Sequence, residues 1–256
     1  MSLATQLHDQ LCNYATRNAG QTPAVLAVTA LDAWQLRAEC SHDHGSYLLR
    51  NLVESDVPAL QSFAAALGPR SRYFFGPYPW DTPEKLDDAF QAAIAQALGR
   101  IDASYLLFDG QQPIGHFFLW KAMGNPLAAP YGIRVPELGI ALVDAVQGRG
   151  LGGLIMRLLE AVAISLEVDA IELTTAQDNE NGYRTYSRAG YIELGLLRIP
   201  LNVDVTAAEA GEVCATTFRD ERHMVRILNP DRETDVLCYL AAKRAAATPS
   251  VVDSSC

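Results

Sequence analysis

One segment limits the folds open to this chain more than any other. It is Gln147-Gly148-Arg149-Gly150-Leu151-Gly152-Gly153, a glycine-rich turn between an apolar run and a helix-spaced one. Ahead of it, residues 137–143 read as a short strand that ends at Asp144; behind it, Leu154, Ile155, Leu158, Leu159 and Val162 recur at helical spacing. The first amides of a helix have no partner within it and carry the positive end of its dipole. Glycines let backbone approach an anion without a Cβ in the way. Strand, turn and helix start together predict a site for a phosphate-bearing ligand.

The rest of the chain alternates strands and helices. Leu3, Leu7, Leu11 and Tyr14 mark an amphipathic helix over residues 3–17, and residues 24–30 read as a strand. An ambiguous stretch then runs to Cys40, and Ser41-His42-Asp43-His44-Gly45 reads as a boundary. From there the pattern predicts a strand over 47–53 and a helix capped by Ser55-Asp56. An arginine- and aromatic-rich loop over 70–80 follows, then a helix over 83–98 with Thr82 as cap. Residues 104–108 and 114–120 form a hairpin turned by Asp109-Gly110. After the glycine turn come a strand over 170–175, a helix over 179–189, and strands over 191–203 and 218–228 separated by residues 206–212. A closing helix over 235–247 precedes a frayed tail. This order is α/β with a mixed sheet.

Composition removes several classes. A formal charge of −10 over 256 residues argues against nucleic-acid partners and, where it favours any partner, favours cationic ones such as amines. Five scattered cysteines (Cys12, Cys40, Cys214, Cys238, Cys256), with no Cys-x-x-Cys pair, speak against zinc and against a disulfide framework. They predict a reducing, cytoplasmic setting. His42 and His44 have no further ligands nearby in sequence, so no metal is expected. No apolar run approaches the roughly 18 residues of a membrane span, and no secretory signal is visible, so no membrane partner is expected.

Three phosphate ligands compete for the turn. Walker A ends in Gly-Lys-Ser/Thr, whereas Gly152-Gly153-Leu154 supplies neither lysine nor hydroxyl. Gly148, Gly150 and Gly153 match the dinucleotide pattern Gly-x-Gly-x-x-Gly, with Glu172 about where a ribose-binding acid sits. Against this, the final strands read as consecutive and antiparallel, which that fold does not use. The third pattern, Gln/Arg-x-x-Gly-x-Gly/Ala, is filled by Gln147 to Gly152 and resembles the pyrophosphate loop of the GNAT superfamily of N-acetyltransferases. Asn179 to Tyr191 resembles that family's second motif: an Asn opens a helix, Tyr186 follows seven residues on, and Gly190-Tyr191 closes it. Glu137-Leu138-Gly139-Ile140 resembles the Glu-aliphatic-Gly strand of the ribosomal-protein alanine acetyltransferase branch, and residues 218–224 the family's last strand.

The resemblance implies a GNAT fold: a mixed central sheet of about six to seven strands flanked by helices, carried by residues 46–247. Residues 1–45 then form an N-terminal extension of a helix and a strand packing on the core, and residues 248–256 a frayed tail. The extension has three open uses: covering the sheet, joining a homodimer interface, or shaping the acceptor site. Acetyl-CoA is the implied co-substrate and a primary amine the implied acceptor, on a small molecule, a protein N-terminus or a lysine. By the same resemblance Gln147, Gly148, Arg149, Gly150, Leu151, Gly152 and Gly153 hold the pyrophosphate. The backbone of Leu142, Val143 and Asp144 meets the pantetheine, Asn179 caps its helix and touches the cofactor, and Tyr186 protonates the departing thiolate. Glu137, starting the strand into the turn, is the first candidate for general base; His116 on the neighbouring strand and a water remain alternatives. A non-catalytic acyl-CoA-binding module is the competing function, with a dinucleotide oxidoreductase behind it.

Overall fold

The computed structural model describes residues 3–17, 24–42, 45–200 and 218–247. Helix α1 (Leu3–Arg17) is followed by strands β1 (Ala24–Ala30), β2 (Leu36–His42) and β3 (Gly45–Asn51). Helices α2 (Val57–Ala66), α3 (Pro69–Phe74) and α4 (Leu86–Leu98) precede the hairpin of β4 (Ala103–Asp109) and β5 (Gln112–Trp120). Strand β6 (Glu137–Leu142), helix α5 (Leu151–Ser165), strand β7 (Ala170–Ala176) and helix α6 (Glu180–Arg188) come next. Strands β8 (Ile192–Pro200) and β9 (Phe218–Ile227) and helix α7 (Glu233–Ala247) end the described chain. The readings of residues 201–203 as strand, 206–212 as a connection and 248–256 as a tail fall outside the described residues, as do the Leu3 and Tyr14 side chains.

Among the described residues the strands form one mixed sheet of nine, ordered β1-β2-β3-β4-β5-β6-β7-β9-β8. Every neighbouring pair is antiparallel except β6 and β7. The sheet is larger than the six or seven strands read from sequence, because the segment ahead of residue 45 supplies two of its own. In β2, Leu36, Ala38 and Cys40 are buried while Arg37 and Glu39 are exposed, the period of a strand with one covered face. Either side of the apparent break, β2 and β3 pair antiparallel, with Ser41 opposite Ser46 and His42 opposite Gly45.

Three local readings change. The aromatic loop begins as helix α3, started by Pro69. Asp56 makes no cap bond to α2; its buried carboxylate accepts from the Val53 amide at 2.7 Å and pairs with Arg50 at 2.6 Å. Thr82 likewise makes no cap bond and leads into a short 3-10 turn ahead of α4.

Side-chain alternation gives the sheet two faces. Phe117 and Leu119 of β5 and Ile171 and Leu173 of β7 join the core under α5, over which α1 packs Leu7 and Leu11. His116 and Phe118 point to the opposite face, where α2 brings Phe63 to 6.1 Å from the His116 ring. On that second face α7 lays Val236, Tyr239 and Leu240, at helical spacing, against Ala170 and Val225. Directly paired residues share a face. Glu137, opposite Trp120 on β5 and beside Glu172 on β7, therefore lies on the second face between the α2 and α7 coverings.

Candidate active site

Two left-handed glycines build the turn: Gly148 and Gly150 both have φ of 78°, a region closed to most L side chains. Gly150 stands immediately before α5. No amide from Gly148 to Gly153 donates to another group among the described residues; Leu154 is the first to do so, to the Gly150 carbonyl at 3.3 Å. A run of free N–H groups thus sits at the positive end of a 15-residue helix. The polar side chains around the turn hold it in shape. The Gln147 amide donates to the Leu142 carbonyl at 3.0 Å and to Ser71 Oγ at 3.1 Å, Ser71 Oγ donates to Asp144, and Arg149 donates to the Ala145 carbonyl at 2.8 Å. Ser71 comes from α3, which the sequence did not connect with this turn.

Beside the turn the sheet opens. Strand β6 pairs with β5 at six positions, from Trp120↔Glu137 to Gly115↔Leu142, but with β7 only at Glu137↔Glu172. Past that pair the parallel strands diverge. Val143 donates its amide to Ile114 on the β5 side at 2.9 Å. Strand alternation then turns the amides of Leu142 and Ile140 into the gap. Of the three positions read as backbone contacts, only Leu142 turns its amide into the gap. Val143 is spent on β5, and Asp144 has already left the strand for a 3-10 turn. Ile140, two residues before Leu142, turns its amide the same way by parity and was not among the positions read from the sequence.

Helix α6 packs beside the turn: Thr185 Cγ2 lies 3.7 Å from where a Cβ on Gly152 would stand. Asn179 accepts from the Gly182 amide at 3.1 Å and donates to Thr175 Oγ1 at 3.0 Å, so its side chain caps α6 and ties it to β7. Tyr186, on the next turn, is 8% exposed and sits in the core with its ring 6.3 Å from that of Tyr191. Its hydroxyl makes no hydrogen bond to a described residue. Burial, with the charge of Glu221 added, pushes its pKa up to about 12, so the phenol stays protonated.

The acids and bases separate sharply. Glu137 is one-third exposed and makes no hydrogen bond among the described residues; its nearest cation is Lys243 Nζ of α7 at 3.6 Å. Burial raises its pKa above the usual carboxyl value against the pull of Lys243. Glu172 is 1% exposed and accepts from His223 Nε2, Tyr239 Oη and Lys243 Nζ, each at 2.9 Å. A carboxylate enclosed in this way cannot serve a ribose, which removes the dinucleotide reading. His116 is fully buried, its two ring nitrogens bonded to Tyr78 Oη at 3.1 Å and Ser104 Oγ at 3.0 Å. Burial drops its pKa to about 3. A neutral imidazole with both nitrogens engaged cannot reach a substrate, so His116 is a core residue and not a base.

A family model for the acetyltransferase (GNAT) domain matches residues 47–192. The chain belongs to the GNAT family of acetyltransferases. It is an N-acetyltransferase by family, and acetyl-CoA is its co-substrate. GNAT proteins of the same fold include the ribosomal-protein-S5-alanine acetyltransferase of Vibrio fischeri, at 15% identity and TM-score 0.53 over 75% of this chain and 97% of that one. Mycobacterium smegmatis RimJ, solved with a CoA-disulfide, aligns at 15% identity and TM-score 0.53 over 89% of this chain and 97% of that one. The spermidine N-acetyltransferase of Vibrio cholerae, solved with CoA and spermine, aligns at 19% identity and TM-score 0.51 over 71% and 95%. At these identities the likeness is one of fold. No curated protein sequence matches the chain.

Within this GNAT frame the aromatic segment is mainly core. Phe75 and Tyr78 are buried and crowd the His116 ring at 6.1 and 5.9 Å, while Phe74 and Trp80 are half-buried. The larger omission from the sequence reading is the cluster around Glu172. One signal existed: Lys243 continues the Val236, Tyr239, Leu240 stripe at helical spacing, a lysine on the covered face of α7. Among the described residues no group of three metal-ligating side chains could hold a metal, and no helix is long and apolar enough to cross a membrane.

Proposed function

We propose that this enzyme transfers acetyl from acetyl-CoA to a primary amine by direct attack within a ternary complex. One observation carries the reading: the β6–β7 gap opens beside a turn of free amides, and a carboxylate without hydrogen bonds among the described residues stands where the gap begins. In this reading the amides of Gly148 to Gly153 take the pyrophosphate. The amides of Ile140 and Leu142 pair with the pantetheine and polarise the thioester carbonyl. Gln147, Asp144 and Arg149 support the loop through the bonds described above, and Asn179 positions α6.

Glu137 takes the amine proton. At about 3.3 Å per strand residue it lies roughly 10 Å along β6 from Ile140, so the proton travels through water. The freed amine attacks the carbonyl carbon, the tetrahedral oxyanion rests on the gap amides, the C–S bond breaks as Tyr186 gives its proton to the sulfur, and the second proton on the acetylated nitrogen returns to the Tyr186 phenolate through water. All these groups belong to one chain, so the reading requires no second copy. Residues 46–247 carry the chemistry, and residues 24–42 extend the sheet. The free thiols of Cys40 and Cys238 suit a reducing compartment such as the cytoplasm.

The test is a calorimetric titration with CoA, followed by thiol release from acetyl-CoA over a panel of peptide N-termini, lysine peptides, polyamines and amino sugars. CoA binding with turnover on at least one amine is expected. Binding without turnover on any amine would overturn the reading in favour of an acyl-CoA-binding module.

A further inference from the structure

The cluster on the second face of the sheet is built by residues other than those of the glycine turn, yet it reaches Glu137. Among the described residues, Glu137 and Glu172 form the one register pair joining β6 to β7. Their carboxylates therefore leave the sheet side by side on one face. Two anions this close repel unless a cation stands between them. Helix α7 supplies it: Lys243 Nζ is 2.9 Å from Glu172 and 3.6 Å from Glu137. This helix lies beyond the segment 47–192 that the family model matches. Two other groups hold Glu172 in place, His223 from β9 and Tyr239 one turn earlier on α7.

The arrangement is unequal. Glu172 receives three donors and is nearly sealed, while Glu137, one-third exposed, receives none among the described residues. We infer that Lys243 is a positioning residue of the acetyl-transfer site: by bridging Glu172 and Glu137 it holds Glu137 anionic and unbonded, ready to take the amine proton. The inference rests on the reading of Glu137 as base. It makes the C-terminal helix part of the active site.

The charged and titratable groups that act on Glu137 are Lys243 from α7, Glu172 from β7, and His223 and Glu221 from β9. Burial raises the Glu137 carboxyl, Lys243 pulls it back, and Glu172 pushes it up again. For Glu172, the His223 bond and Lys243 outweigh burial and hold it below the usual range. Loss of the lysine charge leaves two neighbouring anions with no shared cation. Glu137 then ionises only at higher pH.

The experiment is the pH profile of kcat/KM for Lys243→Met, Lys243→Arg, Glu172→Gln and Lys243→Met/Glu172→Gln, with CoA affinity and thermal unfolding measured beside it. The acidic limb should move up by about one pH unit or more in Lys243→Met, the scale of a removed opposite charge within 4–6 Å. It should stay in place in Lys243→Arg, move down in Glu172→Gln, and return toward wild type in the double variant. CoA affinity should stay constant throughout. A Lys243→Met limb that coincides with wild type, or one that stays displaced in the double variant, overturns the inference. If Lys243→Met does not fold, the downward shift in Glu172→Gln decides alone, and its absence is fatal. Glu137→Gln separates the two layers: wild-type turnover there sinks the base reading itself, whereas slow turnover with an unmoved Lys243→Met limb sinks only the role of Lys243.

Discussion

Replacing Tyr186 by Phe removes one oxygen atom and leaves the ring in the core, which makes it a clean probe of the proton donor. The lost hydroxyl has no hydrogen-bond partner among the described residues. Stability should therefore change by less than about 1 kcal/mol, a melting shift of no more than about 2–4 °C in a chain of this size. A positioned general acid contributes roughly 10²- to 10⁴-fold to rate. The group Tyr186 would protonate is a thiolate of ordinary pKa near 8.5, a far better leaving group than an alkoxide, so the low end applies. Turnover should fall about 100-fold, or about 2.7 kcal/mol in the barrier. Because burial pushes the phenol up to about 12, wild-type Tyr186 stays protonated through pH 10. The deficit should accordingly be uniform from pH 6 to 10. The assay is thiol release at saturating acetyl-CoA and amine, with CoA affinity measured by calorimetry. A kcat within threefold of wild type would refute the acid role. A fall in kcat matched by an equal loss of CoA affinity would move Tyr186 from catalysis to binding.

Two further predictions test the frame around the site. Burial drops His116 to about 3, so between roughly pH 6.5 and 3 the unfolded chain binds a proton that the folded one refuses, and stability falls as pH falls. At pH 5 the loss from this group is about 2 kcal/mol, and His116→Asn, though less stable overall, should show a flatter urea midpoint from pH 7 to 5; equal slopes in the two proteins would end the argument. Gly139 admits the Phe118 ring, whose Cε2 and Cε1 lie 2.6 and 2.8 Å from where a Cβ would stand, while Phe75 and His116 back that ring at 6.1 and 5.4 Å. Gly139→Ala should destabilise by about 1–3 kcal/mol and Phe118→Leu in that background should recover part of it; a Gly139→Ala protein that melts with wild type would show that the ring retreats freely.

What the sequence disclosed and what it withheld divide along the range of the interaction. Gly148 and Gly150 were readable because a left-handed backbone imposes its demand on the residue that occupies it. Asn179 was readable because a helix cap bonds an amide three residues away. The β4–β5 hairpin announced itself through Asp109-Gly110 for the same reason. The fate of His116 was not readable: its neutrality depends on Tyr78, 38 residues back and brought over the sheet by the chain after α3. The parity that selects Ile140 over Val143 depends on which side of β6 faces Ile114. That fact of pairing has no trace in the run from Glu137 to Val143. Most distant of all is the setting of Glu137 itself. The strand it starts could be read directly from the sequence. The cation that shares it with Glu172 comes from Lys243, 71 residues beyond Glu172, and His223, which braces Glu172, comes from a strand inserted between two that precede it. The donor half of the site is a property of local backbone and hence of short motifs. The proposed base half is a property of charges that only the folded sheet and its C-terminal helix bring together, so variation in α7 should retune the pH dependence of acetyl transfer without touching any motif that identifies the family.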